Sequence, residues 1–204
     1  MIIQVIVEGY GEVEAVPQLL RRLVAEAGYP VIKIASPIRA HRGDLVSERK
    51  LDRIIQLARV KNPDVILILL DGDDDCPGAL AQRVCGWART FANPIPCEVV
   101  VAQREYEAWF LGAIESLRGV RGIAEAADSE TAPEAPRDAK RKLESKMLAG
   151  RSYVERADQA ALTSAFNMQM AYKSCRSFRR MVKVFGMLVA AGGTLLTDWP
   201  PRHW

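Results

Sequence analysis

Acidic residues follow directly after two apolar runs of the chain. The run "IIQVIV" at 2–7 leads into the glycine-rich turn "EGYGE", and the run "DVILILL" at 64–70 leads into "DGDDD". A glycine-rich turn at a strand end usually binds phosphate, for which acids are the wrong lining. Converging carboxylates repel one another unless a cation is present, and oxygen ligands without His or Cys favour Mg²⁺ or Mn²⁺. The sequence therefore predicts a divalent metal site, with Glu8, Asp71, Asp73 and Asp75 as its ligands.

Each acidic motif also has a simpler interpretation. "DGDDD" alone is typical of a solvated turn, and "EGYGE" alone of a glycine turn. The first motif lacks the third glycine of a dinucleotide fingerprint, and no Walker lysine follows it. The haloacid-dehalogenase type of phosphatase places a small residue or Thr where Asp75 stands. Because both motifs are acidic and both end a strand, a metal site is the favoured interpretation.

The elements that must position these acids alternate regularly through residues 1–117. Continuous β-branched runs between amphipathic segments are typical of a parallel sheet covered on both faces. We therefore predict an α/β fold, Rossmann-like, with a parallel sheet of about four strands flanked by helices. The predicted strands are 2–7, 31–36, 64–70 and 97–102, and the predicted helices are 14–28, 47–60, 77–92 and 104–117.

In such a sheet, ligands bind at the carboxyl ends of the strands. Residues i and i+2 of an extended segment point to the same side, so Asp71 and Asp73 are expected to converge on one point. Glu8 is expected to reach that point from another strand.

The second part of the chain differs in composition and charge. Residues 118–138, rich in Gly, Ala, Pro and acids, are predicted to form a loop or linker, and residues 139–204 a helical C-terminal extension packed on the first domain, 1–117. Residues 1–117 carry 13 Lys and Arg against 16 Asp and Glu, whereas residues 118–204 carry 15 against 9. The net charges of −3 and +6 suggest two different tasks, although ordinary solvated surface also produces imbalances of this size.

Composition bounds the class of protein. An apolar content of 49% in 204 residues is enough for a real core. The four cysteines form no CxxC pair and only two histidines accompany them, which argues against zinc. The start "MIIQVIV" lacks a basic n-region, and the uncharged stretch 184–197 is too short to span a bilayer. We expect a cytoplasmic protein with reduced thiols and no membrane association.

The two acidic motifs, in this order, resemble the signature of the Toprim domain of topoisomerases, bacterial primases and the overcoming-lysogenisation-defect nucleases. The resemblance covers about residues 1–112 and implies a Toprim-like fold with Glu8 and Glu12 of "VEGYGE" and Asp71 and Asp73 of "LLDGD" as catalytic residues. The chain also resembles a family of small uncharacterised bacterial Toprim-like proteins, marked by an "EAW" helix at 107–109 and a "C-x-SF" segment at 175–178. An acid is expected soon after "EAWFL", but Gly112 and Ala113 stand there.

The resemblance implies a metal-dependent nuclease that hydrolyses DNA or RNA, in a phage-defence or mobile-element system. Asp71 and Asp73 would hold Mg²⁺ or Mn²⁺, and Glu8 would complete the shell or act as general acid or base. Glu12, with Asp75 or Glu107, could bind a second ion. A separately encoded ATPase is an implied partner, and a homo-oligomer stays open. The alternatives are a non-catalytic binding or regulatory subunit of that ATPase and a phosphatase of small substrates.

A nuclease also needs positive charge around its acidic centre. The loop "RAHRGD" at 39–44 is expected on the same edge of the sheet, and cations recur at helical spacing in the last long helix. A surface loop and a solvated helix face are the alternatives, and Trp109 and Phe110 are predicted to be core. The residues predicted to bind nucleic acid are Arg39, His41, Arg42, Lys173, Arg176, Arg180 and Lys183.

Overall fold

The computed structural model describes residues 1–29 and 31–204, which form an α/β fold around a parallel sheet. This confirms the predicted fold class. The strands of the described residues are β1 (Ile2–Val7), β2 (Lys33–Ile34), β3 (Ile38–Arg39), β4 (Val65–Asp71) and β5 (Cys97–Ala102). They lie in the order β2-β1-β4-β5, and β3 pairs with the far end of β1.

The predicted strand at 31–36 is instead two short strands, β2 and β3, both paired with β1. Pro37 lies between them and lacks the N–H that a continuous ladder would need, so pairing stops and resumes at Ile38. The predicted bounds of β1 and β5 are confirmed, and β4 ends one residue later, at Asp71.

Helices cover both faces of the sheet. The first face packs against α1 (Glu12–Glu26), and the second against α3 (Glu48–Val60) and α4 (Pro77–Ala92). A four-residue helix, α2 (Arg42–Leu45), precedes α3. Because α3 and α4 both lie on the second face, the first face beyond β1 is left for another element to cover.

That element comes from the end of the chain. The later helices are α5 (Ala108–Leu111), α6 (Ala139–Glu144), α7 (Glu155–Ala165), α8 (Met168–Ser174) and α9 (Arg176–Ala191). Helix α9 packs its apolar stripe on β4 and β5, and α7 packs on α1. No helix of the described residues is long and apolar enough to cross a membrane.

The predicted helix at 104–117 is wrong in its extent. Only α5 and a 3₁₀ helix at Ile114–Leu117 form. Trp109 and Phe110 are fully buried, as predicted. A Cβ added at Gly112 would lie 2.4 Å from Cys175 Sγ, so the chain after "EAWFL" passes against the α8–α9 corner with no room for an acid.

The predicted division of the chain into domains stays a prediction. Residues 118–138 contain no helix or strand, apart from one antiparallel bridge between Ile123 and Met147. Ile123 and Ala127 are nevertheless buried in the core shared by α1 and α9. Both parts of the chain therefore contribute to one hydrophobic core.

Candidate active site

The two acidic motifs meet at one point of the sheet. Strands β1 and β4 are neighbours in parallel register, with Val7 opposite Leu69, so Glu8 and Asp71 come at the ends of adjacent strands. The order β2-β1-β4-β5 changes direction between these two strands. Such a switch point opens a crevice at the carboxyl ends of the strands, which is where α/β sheets bind ligands.

The glycine-rich turn after β1 is held by Glu12 rather than shaped for phosphate. Glu12 Oε2 accepts hydrogen bonds from Glu8 N at 2.9 Å and Gly9 N at 2.8 Å. A Cβ at Gly11 would lie 2.8 Å from the Glu155 carbonyl oxygen and 2.3 Å from Gln159 Oε1. The turn therefore needs glycine because α7 lies directly on it.

Three carboxylates, which we call the inner acids, lie behind this turn: Glu12, Asp71 and Glu107. Glu12 and Glu107 are fully buried, with at most 2% of their surface exposed. Asp71 Oδ1 accepts a hydrogen bond from Tyr106 N at 2.8 Å. The sequence predicts that Glu107 could bind a second ion together with Glu12.

The side-chain hydrogen bonds to Glu107 come from the C-terminal part of the chain. Glu107 Oε1 accepts bonds from Tyr153 Oη at 2.7 Å and from Gln159 Nε2 at 3.2 Å. The second oxygens of Glu8 and Glu107 are buried without a hydrogen-bond donor among the described residues. The centre therefore has more acceptor oxygens than donors.

Burial and mutual repulsion make the inner acids hard to ionise. Burial raises the pKa of Glu12 to about 8, with Glu107 adding repulsion, although the Gly9 N–H opposes the shift. Burial raises the pKa of Glu107 to about 7, although nearby Lys140 lowers it. The pKa of Asp71 is raised by burial and then by Glu12 and Glu107. A cation at this point would relieve all three groups.

Two further carboxylates, the outer acids Asp73 and Asp75, surround Arg42. Their side chains are about half exposed, at 54% and 52%. Arg42 Nη2 lies 2.6 Å from Asp75 Oδ2, and Nε lies 3.2 Å from Asp73 Oδ2. Arg42 Nη1 lies 3.8 Å from Glu8 Oε2 and donates to the Asp71 carbonyl oxygen. The guanidinium group thus joins Glu8 to the outer acids.

The expected extended segment through Asp71 and Asp73 is wrong. The strand ends at Asp71, and the chain turns at Asp73, whose φ of +45° lies in the left-handed region. Asp73 N donates to the Arg104 carbonyl oxygen, which fixes this turn. Asp71 therefore belongs with the inner acids and Asp73 with the outer ones, and Glu8, with 23% of its side chain exposed, lies between the groups.

Lys140, at the start of α6, is a cation of the site that sequence reasoning missed. Its Nζ lies 2.9 Å from Glu155 Oε2. Burial alone would lower the Lys140 pKa, but Glu107, Glu155 and Asp71 outweigh burial and raise it. Lys140 is 69 residues from Asp71 along the chain, so no local pattern connects the two residues. The only signal in the sequence was the net positive charge of residues 118–204.

The side chains of the site suit a hard divalent cation chemically, since they offer carboxylate oxygens, and Glu8 Oε2 accepts no hydrogen bond from the described residues. In the present arrangement, no group of three or more His, Cys, Asp or Glu among residues 1–29 and 31–204 is disposed to hold a metal ion. Arg42 lies between Glu8 and the outer acids. Glu8 and Asp71 could therefore contribute to an ion as they stand, whereas Asp73 and Asp75 would first have to leave Arg42.

The residues predicted to bind nucleic acid lie in two places. Beside the site, the Arg39 guanidinium lies 3.9 Å from the centre of the exposed Tyr10 ring, and His41 lies 3.4 Å from Arg39 Nη2. The others lie on α9, where Arg176, Arg180 and Lys183 are exposed. The prediction that Lys173 shares their helix is wrong, because extended Cys175 ends α8 and starts α9.

Comparison with known proteins gives a family but no annotated relative. No curated protein matches the chain, and no solved structure does. One family model, described as "Domain of unknown function (DUF4276)", matches residues 7–185. This match spans β1 to α9 and includes all the acids of the site, so the chain belongs to the DUF4276 family.

Proposed function

We propose that this protein is a metal-dependent phosphodiesterase with a Toprim-like site that cleaves DNA or RNA. The observation that carries the proposal is the meeting of Glu8 and Asp71 at the switch point of a parallel sheet, with the buried acids Glu12 and Glu107 behind them. Buried like charges destabilise a fold, so their concentration at a ligand-binding edge favours a role in chemistry.

Glu8 and Asp71 would hold the metal, and Asp73 would join them after leaving Arg42. Mg²⁺ or Mn²⁺ would supply activation of water and stabilisation of the leaving oxygen of a phosphodiester. Glu12 holds the turn that orients Glu8, because its carboxylate accepts the N–H groups of Glu8 and Gly9.

The cations of the site suit the phosphate of a substrate. Arg42 presents a planar donor group between Glu8 and the solvent-exposed outer acids, where it can exchange Asp73 or Asp75 for a phosphate oxygen. Arg39 lies beyond it on the same edge, since β3 pairs with the carboxyl end of β1. Instead of holding the metal, Glu8 could act as the general base that accepts a proton from an attacking water, because it lies between the inner and outer acids.

The test is cleavage by the wild type and by Glu8→Gln. Plasmid, single-stranded DNA and RNA are incubated with Mg²⁺, Mn²⁺ or a chelator, and products are resolved on gels. Glu8→Gln should fold normally and lose about 100-fold to 10,000-fold in rate, as expected for loss of a general acid or base. Glu14→Gln, at an exposed position of α1, is the matched control and should cleave like the wild type. Equal cleavage by Glu8→Gln and the wild type would show the proposal to be wrong.

A second candidate is a non-catalytic binding or regulatory subunit of a partner ATPase. It is favoured by Arg42, whose guanidinium group occupies the position between Glu8 and the outer acids that a metal would need. Absence of cleavage by the wild type with each metal, both alone and with the ATPase, would support this candidate over the nuclease.

A further inference from the structure

The outer face of α9 carries three cationic side chains that form no ion pair within the described residues, although the Glu134 carboxylate accepts the backbone N–H of Arg176. Arg176, Arg180 and Lys183 are exposed and follow one another along one side of the helix. None of them makes an ion pair with any residue in the described part of the chain. We call these three residues the α9 track.

A groove of about 1050 Å³ lies on one side of the α9 track. It runs along β5, the edge strand, between α4 and the start of α9. Val99 and Val101 lie at its floor on β5 and are almost fully buried, whereas Arg176 and Arg180 line it on α9 together with the acid Glu134. Cys76 and Gln103 also line this groove, which we call the edge groove. Cys76 directly follows the outer acid Asp75, and Gln103 directly follows the last residue of β5. The groove therefore starts next to the carboxyl ends of β1 and β4, where Glu8, the inner acids and the outer acids lie, and which we call the acidic edge.

A second cavity, of about 540 Å³, lies farther along α9 and is bordered by residues of the segment 195–200; we call it the tail cavity. Arg180 lines both cavities, and Lys183 lines the second. Tyr172 and Trp199 contribute aromatic surface there. The acidic edge, the edge groove, the α9 track and this tail cavity thus form a continuous surface.

We infer that this surface binds a single-stranded nucleic acid and leads it to the acidic edge. The inference rests on the proposed function and names its substrate class. Unpaired cations match a chain of phosphates, and apolar or aromatic lining matches exposed bases. The phosphate backbone and bases are common to DNA and RNA, so this chemistry does not depend on the sugar.

The two kinds of lining favour a single strand over a duplex. A duplex presents its phosphates outward and keeps the faces of its bases stacked inside, so it could use the α9 track but not the aromatic surface of Tyr172 and Trp199. A peptide added to the edge of β5 is the competing occupant, but it would leave the cations of the α9 track without partners.

Binding is measured by fluorescence anisotropy in a chelator, so that no cleavage occurs. The probes are fluorescein-labelled single strands of DNA and of RNA with one sequence, and the corresponding DNA duplex. The wild type should bind a single strand about tenfold more tightly than the duplex. Arg180→Glu/Lys183→Glu should weaken binding at least about tenfold and reduce the slope of log K against log salt by about 1.4, the value for two phosphate contacts.

The matched control is Arg49→Glu/Arg53→Glu, which makes the same charge change at exposed positions of α3, on the second face of the sheet. It should bind nearly as the wild type does. The neutral variant Arg180→Gln/Lys183→Gln should give an intermediate loss, and circular dichroism checks that each variant folds. Equal losses in the track and control variants, preference for the duplex, or no nucleic-acid binding would each overturn the inference, and the last result would favour the peptide.

The outcome is separable from that of the proposed function. A wild type that binds single strands through the α9 track but cleaves nothing supports this inference and contradicts the nuclease. A wild type that cleaves, but whose track variant still binds and cleaves at the wild-type level, supports the nuclease and overturns this inference.

Discussion

The acidic edge and the α9 track each bring like charges together, but those of the acidic edge are mostly buried, whereas those of the α9 track are exposed to solvent. At the acidic edge, Glu12 and Glu107 are enclosed; hydrogen bonds to both carboxylates offset their repulsion, and Lys140 also acts on Glu107. On the track, Arg180 and Lys183 are in water, where salt screens them. Buried charge is costly to maintain and exposed charge is not. The fold must therefore supply the free energy that keeps the charges of the acidic edge together. Substitutions in the α9 track, by contrast, should have little effect on the stability of the fold.

The largest expected effect is a dependence of stability on pH that comes from the acidic edge. Glu12 has a pKa of about 8 when folded and about 4.5 when unfolded, so the folded state binds more protons between these values. Without metal, the free energy of unfolding should fall as pH rises from 5 to 8, with Glu12 alone contributing at most on the order of 4 kcal/mol. Thermal unfolding across this range measures the effect.

Glu12→Gln isolates this contribution. Its amide oxygen can still accept the N–H groups of Glu8 and Gly9 but carries no charge. The variant should show a flatter pH profile and exceed the wild type in stability at pH 8. A wild-type profile that is flat or rises with pH would contradict the account of crowded acids.

The next largest effect is expected from the tight packing of α7 on the glycine-rich turn after β1. In Gly11→Ala the new Cβ would meet the Glu155 carbonyl oxygen at 2.8 Å, so α7 or the turn must shift. A loss of about 2 kcal/mol is expected from overpacking, measured by urea unfolding. Gly86→Ala is the control, because nothing lies within 4 Å of its Cβ, and it should gain about 0.5–1 kcal/mol inside α4. Equal effects would mean that α7 does not press on the turn.

Arg42→Met tests whether a guanidinium group and a metal compete for the same acids. Without metal the variant should lose about 1–2 kcal/mol, since its ion pairs are only partly buried. Millimolar Mg²⁺ should then raise its melting temperature more than that of the wild type, because Asp73 and Asp75 are released. Lys50→Met, which breaks the surface pair with Asp44, is the control and should respond to Mg²⁺ only as much as the wild type does. No response in any of the three proteins would argue against a metal at this edge.

The smallest effect is expected on the α9 track. Arg180→Glu/Lys183→Glu should change the free energy of unfolding by no more than about 0.5 kcal/mol, because both side chains are exposed and unpaired. Chemical denaturation at two salt concentrations measures this effect. A large loss would show that these cations support the fold.

Local signals in the sequence were sufficient for the elements that carry the acids. The apolar runs of β1 and β5 and the proline at the start of α4 gave the observed bounds, because these signals act within a few residues. The predicted helix at 104–117 was wrong because the path after Gly112 is set by contact with Cys175, far along the chain.

The candidate site divides in the same way. Glu8 and Asp71 are adjacent because each ends a strand, which the pattern predicts. The left-handed turn at Asp73, the position of Arg42 between the acids and the arrival of Lys140 depend on tertiary packing, which no local pattern encodes.

The cover that α9 gives to β4 and β5 has a consequence for synthesis of the chain. The strands are complete by residue 102, but the face over β4 and β5 is closed only by a helix that ends at Ala191. During synthesis, the apolar surface of β4 and β5 therefore stays uncovered until nearly ninety further residues have been added to the nascent chain. This interval makes the emerging chain dependent on protection from aggregation until its last helix has docked.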